Sequence, residues 1–368
     1  YFDFSGEVME ALSVSGAAVI VTPSKAGPLS VGTEKAWNYC EERHMPRILY
    51  ISKTDEENAD YNAAFATLRE RFGKNVAPVV APIWDENKKV IGIIDVLHKR
   101  AYEMQGDKRV EIEDKLPVLD ELYDALKESV AETSEEFMDK YFSGEDFTYA
   151  EMLQGLRQGV RDLSLFPVVC GSAVQGLGTL MLLDTVVDLI PNPLEGSAEL
   201  VENADGELEE YVLSDRAYPC AFVFKTTSDQ YGKYSYVKVM SGNLTPDMTL
   251  VNARTGENIK LGRLYIMKGK KAEEVKELVC GDIGAISKME ALKTGDTICD
   301  ARKVVKFPAL PFPEPCYSVA IAPKTRGQED KIAAGLTRLN DEDLTFNWSN
   351  NAETRQMVVS GTGDMKLY

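Results

Sequence analysis

Tyr50-Ile51-Ser52-Lys53-Thr54-Asp55 is the stretch whose reading decides the fold. It closes the apolar run Ile48-Leu49-Tyr50-Ile51, whose unbroken hydrophobicity predicts a strand buried on both faces. Asp60 to Phe72 follows with apolar residues spaced for a helix. In an open α/β sheet, ligands sit beyond the carboxyl ends of the strands, so Ser52 to Asp55 should line a crevice. A carboxylate at Asp55 could accept two hydrogen bonds from the N1–H and N2–H₂ edge of a guanine, a pair of donors that adenine lacks. The methylene stem of Lys53 could lie along the base plane with its ammonium pointing outward. Read alone, Lys-x-Asp after a strand is more often a solvated loop than a base reader.

Pro167-Val168-Val169-Cys170-Gly171-Ser172-Ala173 is a second apolar strand, ending in a turn of small residues. Gly176 and Gly178 follow, then a helix-like pattern through Ile190. Small residues let backbone approach a flat base closely, so the Ala173 amide could donate to guanine O6. The two stretches together resemble the base-recognising loops of GTPases, Asn-Lys-x-Asp and Ser-Ala, and the order of motifs along all 368 residues is similar to elongation factor G and its paralogues among the translational GTPases.

The resemblance implies a multidomain α/β plus β protein. Residues 1–194 would be the C-terminal part of a truncated P-loop GTPase-type α/β domain, with an α+β subdomain inserted at about 79–165. Residues 195–306 would form a β-barrel, and residues 307–368 a partial ferredoxin-like α+β unit of split βαβ type. Independent signals agree. Ala17 to Thr22, Glu34 to Arg43 and the strand before Ser52 alternate strand, helix, strand, which implies parallel pairing with right-handed crossovers. From Val79 the rhythm changes: Pro82 to Trp84 and Val90 to Asp95 read as strands, Leu116 to Tyr141 as one long helix and Tyr149 to Leu163 as another. Pro191-Asn192-Pro193-Leu194-Glu195-Gly196-Ser197 is the strongest breaker cluster. Short strands at barrel-like spacing follow (Cys220 to Thr226, Tyr234 to Met240, Met248 to Asn252, Gly262 to Tyr265, Gly284 to Ile286). Tyr317 to Ala322, Gln328 to Leu339, and Phe346 to Trp348 with Gln356 to Ser360 predict strand, helix and hairpin. The segment Ser360-Gly361-Thr362-Gly363-Asp364-Met365-Lys366-Leu367 parallels the family's Ser-Gly-x-Gly-Glu-Leu-His-Leu. The family's next helix and strand would lie beyond it, so this unit should be loosely ordered or supported by its neighbours.

The implied site departs from the family at two places. Ser52 stands where the family has an Asn that ties the loop down, and losing one hydrogen bond there costs roughly 0.5–1.5 kcal/mol, about two- to tenfold in affinity. Tyr1 stands, by the same alignment, where the family has a His that positions the attacking water. A phenol titrating near about 10 cannot replace an imidazole near about 6.5. The alternative for Tyr1 is an ordinary chain end. No G-x-x-x-x-G-K-[ST] occurs, so the phosphate cradle and the magnesium-binding hydroxyl are absent from these residues, and by resemblance the chain begins inside a domain. The expected nucleotide is GTP or GDP, with Mg belonging to the full-length protein and no metal ligands here.

Composition narrows the classes further. With 44% apolar and 27% charged residues the chain is of globular type, and no apolar run is long enough to span a bilayer. Six cysteines without a C-x-x-C read as reduced thiols in a cytoplasmic protein rather than as disulfides or zinc ligands. A net charge of −18 argues against indiscriminate nucleic-acid binding. Between Arg254 and Lys276, however, seven basic residues face three acids, a strip that reads either as an RNA-backbone contact or as a solvated β-face. Residues 80–165 hold 20 acids and 11 bases, which reads as a solubilising surface or, by resemblance, as a contact with the ribosomal stalk. His44 and His98 are the only histidines, and no G-x-S-x-G or H-E-x-x-H supports a hydrolase. The resemblance therefore implies a monomeric ribosomal partner protein, binding rRNA and ribosomal proteins and driving GTP-dependent translocation. The alternatives are a ribosome-protection GTPase or a non-hydrolysing ribosome-binding regulator.

Overall fold

The computed structural model describes residues 3–86, 89–105, 108–112, 117–229, 232–325 and 327–368. The chain divides into two compact units, Gly16–Asn192 and a second made of Tyr1–Ser15 with Pro193–Tyr368. Helix α1 (Ser5–Val14) belongs to the second.

The first unit is built on a four-stranded parallel sheet. Its elements run β1 (Ala18–Pro23), α2 (Val31–Glu42), β2 (Arg47–Ser52), α3 (Tyr61–Phe72) and β3 (Val76–Pro78). After an insertion the chain returns as β8 (Phe166–Cys170) and α7 (Thr179–Leu189). β8 slots between β2 and β3, giving the order β1-β2-β8-β3. Ile48, Leu49 and Ile51 of β2, with Val168, Val169 and Cys170 of β8, are fully buried, as the unbroken apolar runs require. The helices start where side chains can accept orphan amides: Ser30 from Thr33 N–H at 3.2 Å, and Asp60 from Ala63 N–H at 2.9 Å.

The insertion begins with an antiparallel meander, β4 (Val80–Trp84), β5 (Val90–Asp95), β6 (Arg100–Gln105) and β7 (Lys108–Glu111). Three helices complete it: α4 (Pro117–Ala131), α5 (Glu135–Phe142) and α6 (Tyr149–Arg161). The single helix expected over 116–141 is two. Thr133 Oγ1 donates back to the Val130 carbonyl at 2.7 Å, and Ser134 Oγ caps α5 by accepting from Phe137 N–H at 3.2 Å. Adjacent hydroxyl residues thus end one helix and start the next. His98 lies within this insertion, between β5 and β6, its Nδ1 2.9 Å from Asp95 Oδ2 and its Nε2 3.1 Å from the Tyr149 hydroxyl, a structural role.

In the second unit β9 (Glu199–Asn203) and β10 (Leu208–Tyr211) precede β11 (Cys220–Asp229), β12 (Gly232–Ser241), β13 (Thr249–Asn252) and β14 (Asn258–Lys260). Then come β15 (Leu264–Lys268), β16 (Lys271–Val275), β17 (Ile283–Ser287), β18 (Thr297–Cys299) and β19 (Val305–Lys306). β9, β10 and β19 form a small sheet, and the other eight strands form one antiparallel sheet ordered β14-β13-β18-β11-β12-β17-β15-β16. One core cluster holds Ile259 of β14, Val223, Val237 and Ile298 from the middle, and Leu264 of β15, with Val275 of β16 against it. Residues from both ends of the strand order meet only if the sheet curls round on itself, the barrel expected from strand spacing.

The last segment is β20 (Tyr317–Ile321), α8 (Glu329–Glu342), β21 (Asn347–Asn351), β22 (Gln356–Gly361) and the short α9 (Asp364–Leu367), with sheet order β20-β22-β21. Its support comes from within its unit. Lys366 Nζ reaches Glu7 Oε1 of α1 at 2.9 Å and Asp343 Oδ2 at 2.7 Å, and Asp3 Oδ2 accepts from Met365 N–H at 3.1 Å. From the barrel, Thr226 Oγ1 donates to the Asp341 carbonyl at 3.2 Å and Ser228 N–H to Glu342 Oε1 at 3.0 Å.

Candidate guanine-nucleotide site

The parallel register pairs Leu49 with Val168, Tyr50 with Val169 and Ile51 with Cys170, so β2 and β8 end side by side. Beyond the last pair the two chains remain joined: Gly171 N–H donates to the Ile51 carbonyl at 3.0 Å, and Thr54 N–H to the Gly171 carbonyl at 3.4 Å. Ser52, Lys53 and Asp55 therefore emerge from the same end of the sheet as Ser172 and Ala173, at a place where parallel sheets bind ligands.

Each loop is fixed from beneath and open above. Ser52 Oγ donates to the Thr22 carbonyl of β1 at 3.1 Å, and Ser24 N–H donates to the Ser52 carbonyl at 2.7 Å, so the hydroxyl ties the loop to the neighbouring strand. Lys53 holds a left-handed φ of 61°, uncommon for a side chain with a Cβ and often a sign of an over-determined functional turn. Its ammonium sits 2.8 Å from Glu56 Oε1, a hydrogen bond that raises the lysine's pKa. Asp55 is half-buried, and its carboxylate has no hydrogen-bond or ion-pair partner among the described residues.

The second loop is a closed turn. Ser172, fully buried, bridges Leu177 through its N–H to the Leu177 carbonyl at 3.0 Å, and its hydroxyl accepts from Gln175 N–H at 3.2 Å. A Cβ on Gly171 would stand 2.1 Å from the Leu177 carbonyl oxygen, and one on Gly178 would stand 2.2 Å from that of Cys170. These two glycines hold the turn against the strand end and leave Ala173 to Gly176 exposed, with the Ala173 amide unbonded among the described residues. A free carboxylate and a free amide thus leave adjacent strand tips, the donor and acceptor set that fits the Watson–Crick edge of a guanine.

Several participants were not evident from the motifs. Tyr50 is buried, and its hydroxyl lies 2.6 Å from where a Gly171 Cβ would stand, so it packs under the second loop. Burial, with Cys170 and Asp55 adding to it, pushes its phenol upward. The hydroxyls of Ser24 and Thr54 are buried and unpartnered among the described residues, on either side of Ser52 in sequence. The bracketing of Ser172 and Ala173 by Gly171 and Gly178 was the one sequence signal that could have exposed the turn's construction. Tyr1 lies outside the described residues. Among those described, no group of three or more His, Cys, Asp or Glu is placed to hold a metal ion.

Four of the seven basic residues in the strip are ion-paired. Arg254 binds Asp296 at 2.6 Å, Lys260 binds Asp247 at 2.8 Å, Arg263 binds Glu274 at 3.1 Å and Lys268 binds Glu273 at 2.7 Å.

Comparison with known proteins matches three family models to successive stretches of the chain. The model of the elongation factor Tu GTP binding domain matches residues 1–192, that of elongation factor G domain 2 matches 219–301, and that of elongation factor G domain III matches 312–368. The chain belongs to the elongation factor G family. By family it is elongation-factor-G-like, and more than half of it matches a domain described as GTP binding. An elongation factor G-like protein of Thermotoga maritima is 34% identical over all 368 residues, which span 53% of that relative. A crystal structure of a Thermus thermophilus protein superposes over the whole chain with a TM-score of 0.84 at 28% identity, covering 53% of that protein. The chain therefore spans about half the length of the relatives it matches. No helix among the described residues is long and apolar enough to cross a membrane.

Proposed function

We propose that the full-length protein binds GTP and GDP with the base held between Asp55 and the Ala173 amide, and that it acts in the cytoplasm as a monomer on the ribosome in GTP-dependent translocation. The observation that carries this is the pairing of a free carboxylate and a free amide at the joined ends of β2 and β8. Asp55 would accept from guanine N1–H and N2–H₂, Ala173 N–H would donate to O6, and the Lys53 stem would cover the base. Ser172 supports that amide by closing the turn beneath it. Ser52 serves the tethering half of the family Asn's role through Thr22, but its hydroxyl reaches no further, so affinity falls while guanine preference persists.

The division proposed is residues 1–194, with its insertion at about 79–165, then 195–306 and 307–368. Magnesium and phosphate contacts belong to the rest of the protein, so these 368 residues alone are inactive in hydrolysis. The acidic insertion is the candidate contact with the ribosomal stalk. A second reading, a non-hydrolysing ribosome-binding regulator, is favoured by Tyr1 at the family's His position and by Ser52. Ribosome-stimulated GTP hydrolysis by the full-length protein tests the choice: turnover rising with added ribosomes excludes the regulator and leaves a hydrolysing factor, translocase or ribosome-protection GTPase, and ribosome binding without turnover selects the regulator.

A further inference from the structure

β11 and β18 are antiparallel neighbours in which Cys220 stands directly opposite Cys299, between which no bond is present. The ladder is bonded from Val223 N–H to the Asp296 carbonyl at 2.8 Å and from Asp300 N–H to the Pro219 carbonyl at 2.9 Å. Bonded pairs alternate with unbonded ones, so Cys220 and Cys299 occupy an unbonded position, one residue inside the Pro219/Asp300 pair. There the Cα atoms of an antiparallel pair lie about 4.5 Å apart and both side chains leave on the same face. That separation falls inside the range of about 4.4–6.8 Å spanned by disulfides. Both thiols are in fact buried in one cluster, with Tyr211, Phe222, Met240 and Phe307.

We propose that Cys220 and Cys299 are a reversible oxidation site, closed by a peroxide into a cross-strand disulfide. One thiol is oxidised to a sulfenic acid as the peroxide O–O bond breaks and water leaves. The second thiol then attacks that sulfur, the S–S bond forms, and a second water carries off the hydroxyl and the remaining proton. Two thiols and one hydrogen peroxide thus give one disulfide and two waters. Burial suits this class of oxidant: hydrogen peroxide is nearly as small as water, whereas bulky disulfides cannot reach the pair. Burial also raises the pKa of both thiols, which makes their oxidation slow.

The consequence runs along β11. Beyond Cys220 the same strand carries Lys225, 2.5 Å from Glu10 of α1, and Thr226 and Ser228, which bind Asp341 and Glu342 of α8. A disulfide would pin the strand that holds both helices and close a long loop in the unfolded chain.

The test treats the intact protein with hydrogen peroxide until the exposed Cys316 is oxidised, alkylates remaining thiols after denaturation, and maps the peptides. The expected result is one linked pair, Cys220 with Cys299, a urea midpoint shifted upward, and reversal of both by dithiothreitol. Cys299→Ser and, separately, Cys220→Ala should lose the link and the shift. Recovery of both residues as alkylated thiols overturns the proposal, as does a link from Cys220 to Cys280, which packs on the same cluster, or irreversible sulfinic or sulfonic acids at either position. The mapping needs only the wild-type protein, so a variant that fails to fold does not block the answer.

Discussion

Replacing Gly178 by Ala should damage the site from below. Gly178 has φ 77°, where a side chain costs about 1–2 kcal/mol. The added methyl would also meet the Cys170 carbonyl oxygen at 2.2 Å, Ile93 Cδ1 at 3.0 Å and Gly171 Cα at 3.2 Å. Two of those neighbours are backbone, so no rotamer change relieves the overlap, and forced repacking adds about 1–3 kcal/mol. The total is a loss of about 2–5 kcal/mol. Gly176 is the internal control: its φ is 66°, but a methyl there meets nothing within 4 Å, so Gly176→Ala should cost only the conformational part, about 1–2 kcal/mol. Amide hydrogen exchange over β2 and β8, with urea unfolding, reads the difference directly, because the displaced carbonyl belongs to the last residue of β8. In the full-length protein the same substitution should weaken GDP more than Gly176→Ala does, since the Ala173 loop is pushed off the strand end. Equal losses for the two variants would refute the reasoning, because they would show that the close approach does not hold the turn.

Two further outcomes follow from the ion pairs. The Lys366 side chain is 5% exposed and bridges Glu7 and Asp343, themselves 43% and 26% exposed. Burial pulls its pKa down, but the two carboxylates outweigh that and leave it raised. Lys366→Met should therefore cost about 1–3 kcal/mol, less than a fully buried pair, and should raise exchange in α9 and α1, measured by the same hydrogen-exchange experiment. Glu151 closes the capping box of α6, and its hydrogen bond with Lys140, then those with Thr148, lower its pKa from 4.5 to about 2. A carboxyl depressed in the folded state stabilises fully above its unfolded value and loses that contribution as pH falls through the folded one. Thermal melts from neutral pH down to about 2 should thus fall less steeply below pH 4.5 for Glu151→Gln than for the wild type.

The parts of the fold that could be read were those in which each residue's environment repeats locally. Ile48 to Ile51 and Val168 to Cys170 are apolar without interruption because both faces are covered, which put Asp55 and Ala173 just past strand ends, while the resemblance to the GTPase loops is what made those ends neighbours. β16, Lys271–Val275, was missed because its burial does not alternate, so no period of two exists to be found. The break between α4 and α5 rests on two hydroxyl side chains turning to backbone, which a hydrophobic pattern does not register. At the site, the motif residues were legible but their supports were not. The bond from Ser52 to Thr22, the seat of the Tyr50 hydroxyl under Gly171 and the approach of Gly178 to Cys170 all join distant residues and exist only once strands pair. The charge balance of the basic strip was incomplete for the same reason: Asp247 and Asp296, which pair with Lys260 and Arg254, lie outside the counted residues.

The most direct test of the account is base selectivity, measured by calorimetry on the full-length protein with GDP, ADP and xanthosine diphosphate. The wild type should prefer GDP over ADP by about tenfold or more, the worth of a charge-assisted pair of hydrogen bonds. Asp55→Asn, which replaces one acceptor oxygen by a donor amide, should lose GDP and gain xanthosine diphosphate, whose base carries a carbonyl at C2. Equal affinity of the wild type for GDP and ADP, or an Asp55→Asn variant whose preferences do not change, would contradict it.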